Sequence, residues 1–492
     1  MSAESNTAST AADLSITPVR EFTLRSAFAL SFSDISPIVG IYSVFGLGLA
    51  VAGPAFFWAF PVVLIGQLLV SGVFGDLVAK WPFSGSVYAW ARELAGARYG
   101  WFTNWAYAWG LTIGLSFLGQ AAATNLLAAI DPNYTPSNGV KWAVAVGVII
   151  FGSAANFFAG NWLKSLLYIS MTAELLSSLG IGFTLLFFHR KHSFHALFDG
   201  MGTANGWHWF FGPFMIMVAY VGWSFLGFES AASIAEEVEE SRTVLPKAIA
   251  LSLAAAGVLV MFACLGLILA VPNYADVISG KDAAPIATTL ETALGTGIGR
   301  TFLIFVTIGF TASMIAVQTA VTRGIWATSR DRALPFSHVL SRLGGKERVP
   351  RNAIILTAVI SSALLLVNLW TTNAYNLLVS FANAGFYISY AMPLLALAWV
   401  HIQKKWVPGP ASMGKWSPLV VYIATVWIVY ESVNIAWPRT VVGQPWYLNW
   451  GLIIMSAVLG VIGIGVSAWV FRPGTEAVLL EAVEPTRDAE AK

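Results

Sequence analysis

Long apolar stretches, separated by short polar segments, run through almost the whole chain. A helix needs about 20 apolar residues to cross a bilayer, because every backbone N–H and C=O in lipid must find its partner inside the segment. The sequence therefore predicts an all-α integral membrane protein with twelve transmembrane helices, numbered here as spans 1 to 12. Their expected bounds are 24–50, 55–79, 99–130, 140–159, 165–188, 209–235, 246–271, 298–326, 352–370, 374–400, 416–437 and 447–471.

The composition excludes a soluble protein. Only 11% of the 492 residues are charged, whereas an ordinary globular domain has about 25%. The net charge of +2 gives no reason to expect nucleic acid as a partner. The single cysteine, Cys264, lies in an apolar run and has no second cysteine to pair with.

Lys and Arg predict the orientation, because basic loops stay on the cytoplasmic side. Most of the 27 basic residues fall on that side if both termini are cytoplasmic. Residues 1–20 are small and polar without an apolar core, so we expect a disordered cytoplasmic tail and not a signal peptide. We expect a second cytoplasmic tail over 473–492, and the transmembrane domain over 21–472.

Gly and Pro interrupt spans 1 and 6. In span 1, Pro37 removes a backbone donor and costs about 3 kcal/mol in a helix interior, and Gly40 follows it. In span 6, Gly222 and Gly227 bracket a bulky stretch that ends at Glu229. Paired interruptions at corresponding positions of two halves indicate a transporter binding site near the bilayer midplane.

Broken helices expose backbone groups that bind charge. Half-helix N-termini attract an anionic group and freed carbonyls attract a cation, so a zwitterion satisfies both. The alternative is that each break is a kink packed against a neighbouring helix. The predicted substrate-binding residues are Ser36, Pro37, Ile38, Val39, Gly40, Trp223, Ser224, Phe225, Leu226 and Gly227.

Three carboxyl groups at membrane depth are functional candidates, because ionisable groups are costly there. Glu174 lies midway along span 5; it is either a proton-coupling residue or a protonated side chain bonded to a carbonyl or hydroxyl. Asp34 either lines the cavity, which would favour cationic substrates, or caps the first half of span 1. Glu229 is either a gate residue or the partner of a cation on a neighbouring span.

An acidic run follows span 6 and faces basic residues at and beyond the end of span 8. An ion-pair network, solvated or closing a gate, explains this run better than substrate binding does. The acidic residues are Glu236, Glu237, Glu239 and Glu240, and the basic ones are Arg323, Arg330 and Arg332.

Four motifs in order along the chain resemble one family. They are FSDISP at 32–37, GDLVAKWPFSGSVYAW at 75–90, FLGFES at 225–230 followed by AEEV and LPKAI, and ATSRDRALP at 327–335. This pattern resembles the amino acid–polyamine–organocation permeases, and among them the amino acid and choline transporter branch. One departure is Ser36-Pro37-Ile38-Val39-Gly40, where relatives often have a GxG-type break.

The resemblance implies the fold named after the bacterial leucine transporter. Two inverted repeats of five helices would cover about 24–190 and 209–400, with two extra helices over about 416–471. Trp223 and Glu229 stand where the arginine–agmatine exchanger branch has gate residues. Glu174 falls near a proton-responsive lysine of one relative, and the hydroxyls of Thr311 and Ser313 resemble the sodium position of sodium-coupled relatives.

The helix breaks, the carboxyl groups at membrane depth and the family resemblance together predict a secondary active transporter. It would move an amino acid or related amine across the plasma membrane by alternating access. The expected partners are this small solute, protons for symport (with sodium as the alternative) and membrane lipid. Alternatives are an amino acid or amine antiporter, a choline, polyamine or 4-aminobutyrate permease, and a channel or non-transporting sensor. The sequence has no HExxH, GxSxG or Walker motif. We therefore expect that the protein is not an enzyme and that it has neither a cofactor nor a metal site.

Overall fold

The computed structural model describes residues 18–131, 134, 136–282, 284–369, 374–410, 412–438 and 446–472. Both predicted tails therefore lie outside the described residues, apart from 18–20. Regular structure in the described ranges is helical, with two isolated β-bridges, Phe22 with Val238 and Gly344 with Val349.

The first five spans form long helices close to their predicted positions. Span 1 comprises Leu24–Ile35 and Pro37–Ala52; span 2 begins with a 3₁₀ turn, Pro54–Trp58, and continues as Ala59–Lys80. A short amphipathic helix, Val87–Ala95, precedes span 3. Spans 3, 4 and 5 are Ala97–Ile130, Asn138–Phe158 and Gly160–Phe188, followed by a turn at Phe194–Phe198.

Span 6 differs from its neighbours, because it consists of short pieces and not one helix. The pieces are Gly206–Trp209, Phe210–Phe214, Met215–Val221, Gly222–Phe225 and Ser230–Ser233, with a turn at Ala235–Glu237. Spans 7 and 8 are continuous, at Ser241–Ala270 and Thr296–Arg330. Two short helices, Tyr274–Ile278 and Pro285–Leu294, lie between them, and Ser337–Leu340 follows span 8.

The last four spans complete the bundle. Span 9 is Arg351–Leu364 extended by a turn, Leu365–Leu369, and span 10 is Ala374–Ile402. Span 11 is Ser417–Ala436, preceded by the turn Gly414–Trp416. Span 12 is Gly451–Val470, after the short helix Trp446–Asn449.

Ten helices in the described ranges are long and apolar enough to cross a membrane. Spans 6 and 9 do not reach that length without interruption: span 6 is broken, and the described apolar helix of span 9 covers only Arg351–Val367. The count of twelve and the inverted repeat therefore stay predictions. In spans 1 and 7, 67% of the most apolar segment is buried, against 11% in span 12, so span 12 lies at the lipid-facing edge.

Spans 3 and 10 approach each other through two glycines. A Cβ atom added at Gly385 would lie 2.5 Å from the Cα atom of Gly110, closer than atoms can pack. Small residues allow such close backbone contact between membrane helices. This contact matters for the site, because both spans contribute residues that surround the break in span 6.

We predict that Gly385→Ala destabilises the protein by about 1–3 kcal/mol, because the added methyl group overpacks a contact between two backbones. The measurement is thermal unfolding of the detergent-purified protein. Gly147→Ala in span 4 is the matched control, since a Cβ there meets no atom within 4 Å. Equal melting temperatures for the two variants would contradict the close packing of spans 3 and 10.

Candidate functional site

Span 1 is interrupted at a single residue. Ser36 has a φ of +44°, which L-residues rarely adopt, and it separates the two halves of the span. The residue before a proline is disfavoured in the helical region, which explains why the break falls immediately before Pro37. The second half then restarts with Ser36 as its cap: the Ser36 hydroxyl accepts from Val39 N–H at 3.3 Å, and its carbonyl accepts from Gly40 N–H at 2.9 Å.

The break in span 6 is longer. The 3₁₀ turn Gly222–Phe225 ends at Leu226, which is extended (φ −96°, ψ 163°). Gly227 follows with a φ of +95°, and a Cβ on it would overlap the Asp34 carboxyl group. Only glycine satisfies both the backbone conformation and this close approach.

The two breaks lie against each other. The Ser224 hydroxyl donates to the Gly40 carbonyl at 2.9 Å, and the Ser31 hydroxyl donates to the Phe228 carbonyl at 2.8 Å. Ser31 also accepts from Ala231 N–H at 3.1 Å. The two bonds of Ser31 satisfy backbone groups that the break in span 6 releases, and all three hydrogen bonds join span 1 to span 6.

A small enclosed cavity of ≈ 10 Å³ lies between the breaks, which is room for about one water molecule. Asp34 Oδ2 and Trp223 Nε1 belong to residues that line it, and both atoms are buried without a hydrogen-bond partner. Asp34 therefore lines the cavity, the first of the two alternatives that its sequence position left open. The lining residues are Asp34, Ile35, Val39, Trp223, Leu226, Ser313, Val317 and Phe386.

Three of the ten predicted substrate-binding residues, Val39, Trp223 and Leu226, line this cavity. The other seven lie in the same two breaks. Among them, Ser36 contacts span 5, and Ser224 contacts Gly40. Their role in binding stays a prediction.

The Trp223 indole is held by ring contacts alone. It packs edge to face against Phe117, with centroids 5.4 Å apart, and against Phe386, at 6.2 Å. No hydrogen bond anchors its N–H, and the side chain is buried in the core. The gate role of Trp223 stays a prediction.

Glu174 reaches the break of span 1 from span 5. It is fully buried and accepts hydrogen bonds from the Ser36 hydroxyl at 2.7 Å and from the Ser170 hydroxyl at 3.1 Å. The Ile38 N–H is directed at the same carboxyl group. Glu174 therefore contacts the beginning of the second half of span 1, and it is not among the residues that line the cavity.

Glu229 lies between spans 3 and 10, where two tyrosines donate to its carboxyl group. The Tyr107 hydroxyl donates at 2.7 Å, and the Tyr390 hydroxyl donates to the other oxygen. Tyr390 also accepts from Gly227 N–H at 3.2 Å. The interspan ion pair that the sequence left open is absent from the described residues. The sequence patterns singled out neither tyrosine.

Ion pairs close the end of the bundle where span 1 begins and span 8 ends. Glu236 pairs with Arg330 at 2.7 Å, and Glu237 pairs with Arg323, which is 1% exposed, at 2.9 Å. The predicted ion-pair network is confirmed for these two glutamates. The bridge between Phe22 and Val238 lies at the same end and ties the start of the described chain to the segment after span 6.

A second cluster at this end joins the helix Val87–Ala95 to span 8. The Tyr88 hydroxyl donates to Asp331 at 2.6 Å, and Arg92 pairs with the same carboxylate. Burial, together with the Asp331 charge, raises the pKa of Tyr88. Tyr88 therefore stays protonated and keeps donating to Asp331.

The hydroxyls of Thr311 and Ser313 do not converge. Ser313 donates to the Asp34 carbonyl at 2.9 Å, which joins span 8 to span 1, whereas Thr311 donates to Thr307 in its own helix at 2.7 Å. In the described part of the chain, no group of three or more His, Cys, Asp or Glu side chains is placed to hold a metal ion.

Comparison with known proteins identifies the family. The family model for amino acid permeases matches residues 22–462. An amino-acid permease of Arabidopsis thaliana, BAT1, is 27% identical, covering 92% of this chain and 91% of the relative. An uncharacterised amino-acid permease of Schizosaccharomyces pombe is also 27% identical, covering 89% and 83%.

A third relative, the GABA-specific permease of Saccharomyces cerevisiae, is 25% identical, covering 85% of this chain and 76% of the relative. The names of these relatives are those of transporters, which confirms the expectation that the protein is not an enzyme. The resemblance found in the sequence motifs is confirmed as well. The chain belongs to the amino acid permease family and is a multi-pass membrane protein that transports amino acids.

Proposed function

We propose that the protein is a secondary active transporter that binds one amino acid between the breaks of spans 1 and 6 and carries it across the plasma membrane by alternating access. The observation that carries the proposal is the pair of unpartnered polar atoms, Asp34 Oδ2 and Trp223 Nε1, in residues that line the enclosed cavity. Buried polar groups are costly without a partner, so such a pair is typical of a site that a ligand completes.

The closed end of the bundle supports alternating access. Two layers separate the cavity from this end: the Glu229 carboxyl group with its two tyrosines, and the ion pairs of Glu236 and Glu237. The surplus of Lys and Arg in the loops at this end favours its placement in the cytoplasm. Both termini would then be cytoplasmic, and this conformation would be closed to the cytoplasm.

Glu174 is proposed as the proton-coupling residue. An ionised carboxylate only accepts hydrogen bonds, and here the Ser36 hydroxyl, the Ser170 hydroxyl and the Ile38 N–H all point at it. Protonation converts one acceptor oxygen into a donor, and the hydrogen bonds at the restart of span 1 must then rearrange. Proton binding is thereby linked to the part of span 1 that must move.

Transport in proteoliposomes tests the proposal. Purified protein should accumulate an amino acid when a pH gradient is imposed, and a sodium gradient alone should not drive accumulation. Exchange without net uptake would favour the antiporter alternative, and accumulation driven by sodium would favour sodium coupling. If vesicles neither accumulate nor exchange any of the twenty amino acids, the proposal is wrong.

Glu174→Gln should abolish accumulation driven by the pH gradient while solute binding stays within about threefold of the wild type, because glutamine keeps an acceptor for Ser36 but takes up no proton. Uptake assays and ligand-induced thermal stabilisation measure the two properties separately. The matched control is Glu291→Gln, a change of the same kind in the short helix Pro285–Leu294, away from the breaks. Undiminished accumulation in Glu174→Gln would remove this residue from the coupling mechanism.

Trp223→Ala should weaken the closed, solute-bound state, because the alanine variant lacks the ring that packs against Phe117 and Phe386 over the cavity. We expect the transport rate to fall by at least about tenfold, a change of about 1.4 kcal/mol. Trp162→Ala is the control, since Trp162 lies on span 5 and is 53% exposed on the outer surface. Equal transport by both variants would exclude a gate role for Trp223.

A further inference from the structure

The cavity between the breaks contains a carboxyl group with no basic residue beside it among the lining residues, which the proposed function does not explain. Asp34 is 6% exposed, and its Oδ2 atom has no hydrogen-bond partner. The residues that line the cavity include no Lys, Arg or His. The nearby carboxyl group of Glu229 accepts from two tyrosines and supplies no positive charge to Asp34.

The backbone donors at the break of span 1 are already used by the protein. Pro37 has no N–H; the Ile38 N–H points at Glu174, and the N–H groups of Val39 and Gly40 bond to Ser36. At the break of span 6, Gly227 N–H donates to Tyr390. These groups therefore offer little to a carboxylate in this conformation, and the unpartnered donor among the lining residues is the Trp223 indole N–H.

Together these observations describe a site whose lining residues include one carboxyl group, Asp34, with an unpartnered oxygen, and one unpartnered donor, the Trp223 indole N–H. Aromatic rings of Trp223 and Phe386 line the same cavity, and such rings attract ammonium and guanidinium groups through their faces. A cation on the solute would therefore supply the partner that the Asp34 carboxyl group lacks among the lining residues. A carboxylate on the same solute can accept from the indole N–H.

We propose that Asp34 binds a side-chain cation of the solute, and that the transported amino acids are accordingly basic ones with an ammonium or guanidinium group. This inference rests on the proposed transport function and specifies its substrate class. A basic amino acid brings a side-chain cation that can pair with the Asp34 carboxylate, a neutral amino acid brings no such cation, and an acidic one places a second carboxyl group beside Asp34. The expected preference is basic over neutral over acidic.

Four probes of similar length test the assignment on the full-length wild-type protein: L-lysine, L-norleucine, L-glutamate and cadaverine. Norleucine lacks the side-chain cation of lysine, and cadaverine lacks its carboxylate. We expect lysine to bind at least about tenfold more tightly than norleucine, since a charge-assisted hydrogen bond is lost. Glutamate should bind most weakly. Thermal stabilisation gives the binding constants, and uptake into vesicles shows which probes are carried.

Asp34→Asn should weaken lysine binding by about 10- to 100-fold and bring the ratio of lysine to norleucine affinity close to one. The matched control is Asp276→Asn, which makes the same change at an exposed carboxylate paired with Lys281 outside the spans. This control should keep the wild-type preference. If Asp34→Asn does not fold, the order of the four probes on the wild type decides the question alone.

Two results separate the failure of this assignment from the failure of the transport proposal. If vesicles accumulate norleucine as well as lysine, transport stands and the role of Asp34 is wrong. Cadaverine binding as tight as that of lysine would likewise overturn the amino acid class while leaving transport intact. If no amino acid is accumulated or exchanged, the transport function is wrong and this assignment falls with it.

Discussion

Every backbone N–H and C=O inside the bilayer must have a partner, and this constraint decides where a membrane helix can break. In this protein, side chains of neighbouring spans supply the missing partners. The Ser31 hydroxyl of span 1 donates to the Phe228 carbonyl and accepts from Ala231 N–H, and the Tyr390 hydroxyl of span 10 accepts from Gly227 N–H. Without these contacts, the break in span 6 would cost several kcal/mol per unsatisfied group. The break in span 6 is therefore stabilised by its contact with span 1.

The hydrogen bonds between the breaks also couple the movement of span 1 to that of span 6. Because side chains of each span bond to the backbone of the other, a shift of one changes the polar partners of the other. Glu174 holds the restart of span 1 from one side, and Ser313 of span 8 holds the Asp34 carbonyl from another. Glu229 ties span 6 to spans 3 and 10 through Tyr107 and Tyr390. A movement of span 1 or span 6 would have to break these contacts.

The sequence predicts the features that depend on local chemistry. Apolar length identifies the spans, and the proline at position 37 identifies the break in span 1. The glycines at 222 and 227 identify the break in span 6. The acidic run after span 6 and the basic residues near the end of span 8 identify the ion pairs that Glu236 and Glu237 make.

The features that escape sequence analysis depend on contacts between spans far apart in the chain. Glu174 and Ser36 are separated by 138 positions, and nothing local to either residue indicates their hydrogen bond. Tyr107 and Tyr390 have no distinguishing pattern either, although a buried carboxyl group such as Glu229 requires donors from somewhere. Whether Asp34 lines the cavity or caps a helix depends on its rotation about span 1, which periodicity within a broken helix does not define.

The most direct test of the central claim is an experimental structure of the protein with a transported amino acid bound. The account predicts solute density between the breaks of spans 1 and 6, within hydrogen-bond distance of Asp34 and beside the Trp223 ring. Density for the solute at any other place, with the two breaks still in contact and the cavity between them no larger, would contradict it.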